Sequence, residues 1–431
     1  MRSSEDYLQH KFKNYNRGIA KVKKHLLKVL KEEEMKMENK QELPAGWKWV
    51  KLGEVCEIIM GQSPPSTSYN KINKGLPFFQ GKADFDTYFP KVRIWCSQPI
   101  KIVEEGTILI SVRAPVGPVN ISNTKCCIGR GLAGIRTKEE KAFNWYFFWY
   151  LFSKEHEIAS IGSGSTFSAI SKGDLANLVV PLPPLPEQRR IAEKLKAMMD
   201  EIDEAKASIE KQLEAAKALP SAYLREVFES PEAQKWEKKK LGEVCEIYGG
   251  DPAPQDKVYF DNGSIPFVRM QDLGRYHMTD NLNKTVDMVN HFAVEHLNLT
   301  VFPKGCILIP RSGSVYTNHR AILGVDACVV SHIAILKPKE SINELYLYYY
   351  LCNFDMNEIS SFTTGLDLIS FKDLKEVHVF FPPLPEQKRI ASYLKEKIDQ
   401  AEKLRETLEK ELETLNALPQ SILSKAFRGE I

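Results

Sequence analysis

The octapeptide KLGEVCEI occupies residues 51–58 and recurs letter for letter at 240–247, while PPLPEQ stands at 183–188 and again at 382–387. Matched landmarks in the same order are the signature of a duplicated architecture. The chain is therefore constrained to fold as two copies of one unit, each a globular block followed by a long helix. Smaller anchors agree: Pro77-Phe78 answers Pro266-Phe267, and residues 108–110 answer 307–309. Between the anchors the copies diverge, and residues 79–106 share almost nothing with 268–305. A repeated scaffold with unlike inserts suits two different targets.

The helices after PPLPEQ carry the strongest periodicity. Ile191, Leu195, Met198, Met199, Ile202, Ala205, Ile209, Leu213, Ala216 and Leu219 recur at spacings of mostly three and four, which draws one apolar stripe. Ile390, Leu394, Ile398, Ala401, Leu404, Leu408, Leu412, Leu415 and Leu418 repeat it, so each stripe is the natural partner of the other. Pro186 and Pro385 suit a helix start, where a missing N–H costs nothing, and Glu187 and Glu386 favour the first turn. Pro220 and Pro419 are expected to end or kink the helices, giving a rod of roughly 50 Å. Because the second block begins directly after the first helix, the pair is expected to be antiparallel, with the blocks at opposite ends. That rod corresponds to about 15 base pairs of duplex.

The expected fold class is α+β: two similar mixed α/β domains joined by two long helices in an antiparallel coiled coil with a pseudo-twofold axis. The expected divisions are an N-terminal helical segment (1–40), a first block (41–182), a first helix (183–230), a second block (231–381) and a second helix (382–431). Residues 101–112 and 305–310 read as strands. Residues 144–152 and 344–351 read as buried helices, because consecutive aromatics point all round a helix and core packing outweighs a base-stacking platform. A hydrophobic fraction of 43% is enough for each block to bury a core.

No run approaches the roughly 18 apolar residues of a membrane span, and the polar opening residues give no secretory signal, so a cytoplasmic home is expected. The eight cysteines stand singly except for Cys126-Cys127, a pattern of small core residues rather than of metal ligands. A net charge of +3 is modest, but the blocks hold arginines and lysines among aromatic and small polar residues. The helices mix both signs, as solvated faces do.

The segment GWKWVKLGEV, the LPPLPEQRRIA helix start, the long helix reaching Ala218-Leu219-Pro220, and the repetition of the whole to a terminal SILSKAFRGEI together resemble the specificity subunit of Type I restriction-modification enzymes. The resemblance covers residues 43–431. It implies two target recognition domains that each read half of a split site in double-stranded DNA, and helices that set the spacer and dock two methyltransferase subunits. It further implies restriction/motor subunits as partners. S-adenosylmethionine is then expected in the modification subunits, and ATP and magnesium in the motor subunits, with no cofactor, metal or catalytic residue in this chain. The chain has no proline-rich adenine-flipping loop and no glycine-rich methyl-donor turn, Gly162-Ser163-Gly164-Ser165 lacks the P-loop lysine, and His291 and His296 do not form a zinc pair.

Helix-start residues Glu187, Gln188, Ile191, Glu386, Gln387 and Ile390 match the family and are structural or partner-facing, with Leu195, Ile202, Ile209, Leu213, Leu394, Leu404, Leu408 and Leu412 continuing the coiled coil. Base edges are read by Arg, Lys, Asn, Gln, Ser and Thr, and phosphates by any positive or N–H donor. The candidates in the first block are therefore Gln62, Ser63, Gln80, Lys82, Ser111, Arg113, Lys125 and Arg130. In the second they are Arg269, Gln271, Arg275, Arg311, Ser312, Tyr316, Asn318, His319 and Arg320. Arg113 and Arg311 stand where strand gives way to turn, although the surrounding residues differ between the copies.

Ile19, Val22, Leu26, Leu27, Val29 and Leu30 draw a further stripe, and Trp47 precedes its repeat as Trp236 does. The first forty residues are therefore expected to pack near the end of the second helix, against the competing reading of a basic arm on phosphates. The competing function is a coiled-coil scaffold linking two protein partners, with PxxP at residues 183–186 as a docking peptide.

Overall fold

In the computed structural model the described residues are 43–138, 141–161, 169–278, 281–312, 319–359, 361–363 and 366–431. The expected N-terminal helix, the loop at 162–165, Tyr316 and Asn318 lie outside them. The chain divides into two compact units. One joins the described residues up to Ser208 to Leu412–Ile431, and the other is Ile209–Glu411.

In the first unit KLGEVCEI closes the strand Lys48–Lys51, forms the single turn of helix Leu52–Val55 and opens the strand Cys56–Met60. Leu52 and Val55 face the core, and Leu52 N donates to Leu178 O at 2.8 Å. Lys48–Lys51 pairs antiparallel with Val179–Leu182 in a ribbon. The main sheet runs Cys56–Met60, Leu132–Thr137, Ile108–Ser111, Val119–Ile121, antiparallel throughout. Ile108–Ser111 is buried at every residue, as the unbroken apolar run required. A second sheet places Leu76–Phe79 parallel to Cys126–Ile128.

The second unit repeats this plan. Lys238–Lys240 pairs with His378–Phe380, and the main sheet runs Cys245–Gly249, Ile333–Pro338, Ile307–Pro310, Ala321–Ile322. Ile265–Val268 lies parallel to Cys328–Val329 and antiparallel to Asp287–Val289. Seven cysteines are buried thiols and Cys352 is half-buried. Burial pushes the thiols of Cys56 and Cys245, equivalent in the repeat, up to about 12.

The aromatic segments are core helices, Asn144–Ser153 and Glu344–Asn353, and their tyrosines use the hydroxyl as a tether. Tyr146 and Tyr346 donate to the carbonyls of Pro181 and Phe380 at 3.0 Å, and Tyr150 and Tyr350 donate to Val179 O and His378 O. The ribbon strand that leads into each long helix is thereby pinned to the core.

The reason PPLPEQ recurs lies one turn later. Gln188 and Gln387 are fully buried. Gln188 Oε1 accepts from Phe143 N at 2.8 Å while its Nε2 donates to Pro183 O at 2.9 Å. Gln387 makes the same pair, with Asn343 N and Pro382 O, both at 2.8 Å. Glu187 and Glu386 are instead half-buried partners of the exposed Arg190 and Arg389, whose guanidinium groups hold their carboxyls below the usual range.

The long helices are Leu185–Phe228, 44 residues, and Leu384–Ala426, 43 residues, each about 65 Å long. Pro220 and Pro419 lie inside them and end neither, so of the two expected outcomes, an end or a kink, the end does not occur. The turns beyond each proline stay helical because they carry buried apolar anchors, Leu224 and Phe228 in the first and Ile422 and Leu423 in the second, with buried Phe427 directly after the second helix ends. Ile191, Leu195, Ile202, Ile209, Ile390, Leu394 and Leu408 are buried, whereas Leu213, Leu404 and Leu412 are half-buried.

Within each unit the start of one long helix lies beside the end of the other, the antiparallel sense expected from the stripes. In the first unit Arg190 Nη2 donates to Ile431 O at 2.7 Å, and Phe427 meets Tyr146 and Tyr150 edge-on at 5.4 and 5.1 Å. In the second, Phe228 meets Tyr346 and Tyr350 edge-on at 5.7 and 5.3 Å. The architecture is α+β, with two sheet-containing domains and two long helices. Among the described residues no helix is long and apolar enough to cross a membrane.

Candidate nucleic-acid interface

Four chain segments leave the two sheets of the first unit at one edge, and backbone hydrogen bonds tie them together. Gly61 N donates to Leu132 O at 2.9 Å, Gln62 N to Ile128 O at 3.0 Å, Gly129 N to Phe79 O at 2.8 Å and Val112 N to Gly131 O at 2.9 Å. The segments following Cys56–Met60, Leu76–Phe79, Ile108–Ser111 and Cys126–Ile128 thus converge, and they carry Gln62, Ser63, Gln80, Lys82, Arg113 and Arg130. All but Ser63 are exposed, and Ser63 Oγ accepts from Arg130 N at 3.2 Å.

The second unit makes the same four bonds. Gly250 N donates to Ile333 O at 3.3 Å, Asp251 N to Val329 O at 2.8 Å, Val330 N to Val268 O at 3.0 Å and Arg311 N to His332 O at 3.0 Å. Gly61 and Gly250 are equivalent and irreplaceable for one steric reason. A Cβ would lie 2.2 Å from Gly129 O in one copy and 2.3 Å from Val329 O in the other. The second set carries Asp251, Arg269, Gln271, Arg311, Ser312, Ser331 and His332 on the backbone positions of the first.

Of the sequence candidates, Gln62, Ser63, Gln80, Lys82, Arg113 and Arg130 are brought together, as are Arg269, Gln271, Arg311 and Ser312. Several others are not. Ser111 is 1% exposed and donates to Arg113 O and Pro115 O, so it builds the turn beneath the edge. Lys125 stands at the opposite end of Cys126–Ile128 and pairs with Glu104 at 2.7 Å. Arg320 is 0% exposed, with Nη2 donating to Phe354 O at 2.8 Å, which places it in the core rather than on a reading surface. Arg275 is exposed on the helix Met270–Tyr276, and His319 is half-buried with its ring 5.3 Å from that of His277.

The backbone bonds also show why Arg113 and Arg311 do not occupy equivalent places. Val112 and Arg311 make equivalent bonds, and each accepts from an isoleucine, Ile170 N at 3.1 Å and Ile369 N at 2.8 Å. Arg113 is therefore matched by Ser312, and a one-residue offset along extended chain reverses the face presented. Arg311 packs its guanidinium 4.2 Å over the Phe371 ring, whereas Arg113 is exposed. Sequence reasoning missed Asp251, Ser331 and His332. Ser312 Oγ lies 2.7 Å from His332 Nδ1, and Asp251 Oδ2 accepts from Thr300 N at 2.7 Å. The signal for Asp251 was available, since it follows the second-copy partner of Gly61.

A binding scaffold used twice, with one edge of loops varied between the uses, is the class of protein this geometry defines. The chain belongs to the family of the Type I restriction modification DNA specificity domain, whose model matches residues 44–215 and again 233–414. It is similar to the putative type I restriction enzyme MjaX specificity subunit of Methanocaldococcus jannaschii, 46% identical over 207 residues, which are 46% of this chain and 48%, about half, of that relative. It is also similar to the type I restriction enzyme EcoDI specificity subunit of Escherichia coli, 26% identical over 424 residues covering 90% of this chain and 89% of that protein. The crystal structure of the HsdS subunit from Thermoanaerobacter tengcongensis matches with a TM-score of 0.63 at 25% identity, over 91% of this chain and 100% of that one. A chain from a structural study of assembly and conformational transition in the type I R-M system matches with a TM-score of 0.73 at 26% identity, over the same shares.

Proposed function

We propose that this chain is the DNA-specificity subunit of a Type I restriction-modification complex, each block reading one half of a bipartite site in double-stranded DNA. The observation that carries the reading is the pair of loop edges: identical backbone bonds in both units, occupied by different donors and acceptors. A shared scaffold with exchanged side chains is what two unlike half-sites require, because phosphate contacts position a protein and base contacts specify the sequence. The long helices hold the two readers at a set spacing and dock the modification subunits. The chain itself is noncatalytic. S-adenosylmethionine belongs to the modification subunits, and ATP with magnesium to the motor subunits.

Selection of bound duplexes from a randomised library by the full chain, alone and with its modification subunits, tests this. The expected result is a motif of two short conserved blocks around an unconserved gap of fixed length. Enrichment of no motif, or of one continuous motif, contradicts the reading and leaves the scaffold alternative.

A further inference from the structure

One position of the two loop edges differs in a way that carries base information. Gln80 follows the strand Leu76–Phe79 and Arg269 follows Ile265–Val268, and the bonds to Phe79 O and Val268 O make them equivalent. Both are mounted alike. Gln80 N donates to Asp84 Oδ2 at 2.7 Å and Arg269 N to Asp272 Oδ2 at 2.9 Å, so a carboxylate about one turn further on clamps each backbone. Behind Gln80 the packing leaves no slack, since a Cβ at Gly131 would lie 2.3 Å from Gln80 O.

The side chains then part company. Gln80 is exposed, and its amide has no partner among the described residues. Arg269 has its guanidinium 5.6 Å over the Phe267 ring, and its Nε donates to the carboxylate of Asp287 on the neighbouring strand. That bond fixes the guanidinium plane and leaves both Nη groups unpaired among the described residues. A glutamine amide matches adenine N6 and N7 in the major groove, while a guanidinium fork matches guanine O6 and N7. A buttressing carboxylate favours the fork by removing rotamers that would otherwise be lost on binding.

Resting on the reading that each block binds one half-site, we infer that this position reads a base in both blocks, with Gln80 selecting adenine in one half-site and Arg269 selecting guanine in the other. It deepens that reading by naming the base class at one site in each half.

The test is library selection with the full wild-type chain and with the variants Gln80→Arg, Arg269→Gln and Arg269→Lys. Gln80→Arg is expected to turn one adenine of one half-site into guanine, leaving the other half and the gap unchanged. Arg269→Gln is expected to cost roughly 5- to 150-fold in discrimination at one guanine of the other half-site. Arg269→Lys keeps the charge and loses the fork, so it is expected to relax that guanine while non-specific affinity stays within a few-fold. The inference is overturned if Arg269→Gln weakens every sequence equally, with a salt slope shallower by about one, because that is the behaviour of a phosphate contact. It is likewise overturned if Arg269→Lys keeps full guanine preference. A wild-type chain that enriches no split motif defeats the underlying reading, whereas an intact split motif indifferent to all three variants defeats this inference alone.

Discussion

Behind the loop edges the two blocks solve the same packing problem with different chemistry. In the first, the helix Asn144–Ser153 is met by Tyr88, whose ring lies edge-on at 5.3 Å from Trp149 and 6.3 Å from Phe148. In the second, the equivalent helix meets polar groups: Tyr348 Oη accepts from Met278 N at 2.8 Å, and buried Arg320 lies where the first block has Val119. His277 joins them, its Nδ1 accepting from Arg320 N at 3.2 Å. Common to both blocks are the backbone bonds of the loop edge, the Gln and Tyr tethers near the helix starts and the Phe that closes each core. The unlike groups, Tyr88 in one block and His277, Arg320 and Tyr348 in the other, gather at the equivalent core helix. The scaffold therefore tolerates replacement of one side of its core, which is what a domain under pressure to change its target requires.

The largest test of that division concerns the common part. Phe427 and Phe228 each close the core of the block at the other helix's start, so Phe427→Ala and Phe228→Ala are each expected to cost about 3–5 kcal/mol. The loss should be local: hydrogen exchange should rise across residues 43–208 for the first variant and 209–411 for the second. Equal loosening of both units by either variant would break the picture of two separately closed cores. Next come Gln188→Ala and Gln387→Ala, which strand a buried N–H and a buried carbonyl and should each cost roughly 2–3 kcal/mol in urea unfolding. Near-equal costs are expected because the bonds match to within 0.1 Å.

The division also explains what could be read from the chain alone. The duplication, the stripe and the aromatic core helices were legible because they depend on local periodicity and on residues that both copies keep. The helices outran Pro220 and Pro419 because distant contacts of Phe228 and Phe427 outweigh a lost N–H, and propensity carries no information about distant contacts. Among the candidate contacts, composition selected donors but not depth. Ser111 and Arg320 look like surface readers by type and are buried by topology. Lys125 shares a strand with the edge and stands at its wrong end. The offset that separates Arg113 from Arg311 is one residue, and it was legible, because the anchor of 108–110 on 307–309 continues without a gap to set Arg113 opposite Ser312.

The unlike part predicts unequal responses to acid. Burial, with Arg320 and His319 close by, lowers the His277 pKa to about 4 from 6.5. Between those values the unfolded chain holds a proton that the native block does not, so stability rises with pH across the window and falls on acidification. A loss of about 3 kcal/mol from pH 7 to pH 4 is expected in the second unit. The only histidine of the first block between residues 43 and 208 is His156, exposed on its helix. Urea melts from pH 7.5 to 4.5, with exchange resolved by block, should show the second unit loosening first. His277→Gln, which keeps an acceptor and cannot titrate, should flatten that dependence, and an unchanged slope would assign the effect elsewhere.

The smallest expected effect separates the edge from its surroundings. Lys125 and Arg130 flank one three-residue strand and contribute the same charge, so totals cannot tell them apart. Lys125 is paired with Glu104, both groups half-exposed, an arrangement worth under about 1 kcal/mol. Arg130 is exposed among the converging loops, its backbone N–H held by Ser63. Lys125→Ala should therefore leave duplex affinity, its salt slope and the selected motif as they are. Arg130→Ala should weaken binding and, if its contact is to phosphate, make the salt slope shallower by about one. Equal losses from both variants would mean that diffuse positive charge, rather than the loop edge, holds the duplex, and the register shared by the two blocks would then have no bearing on what they bind.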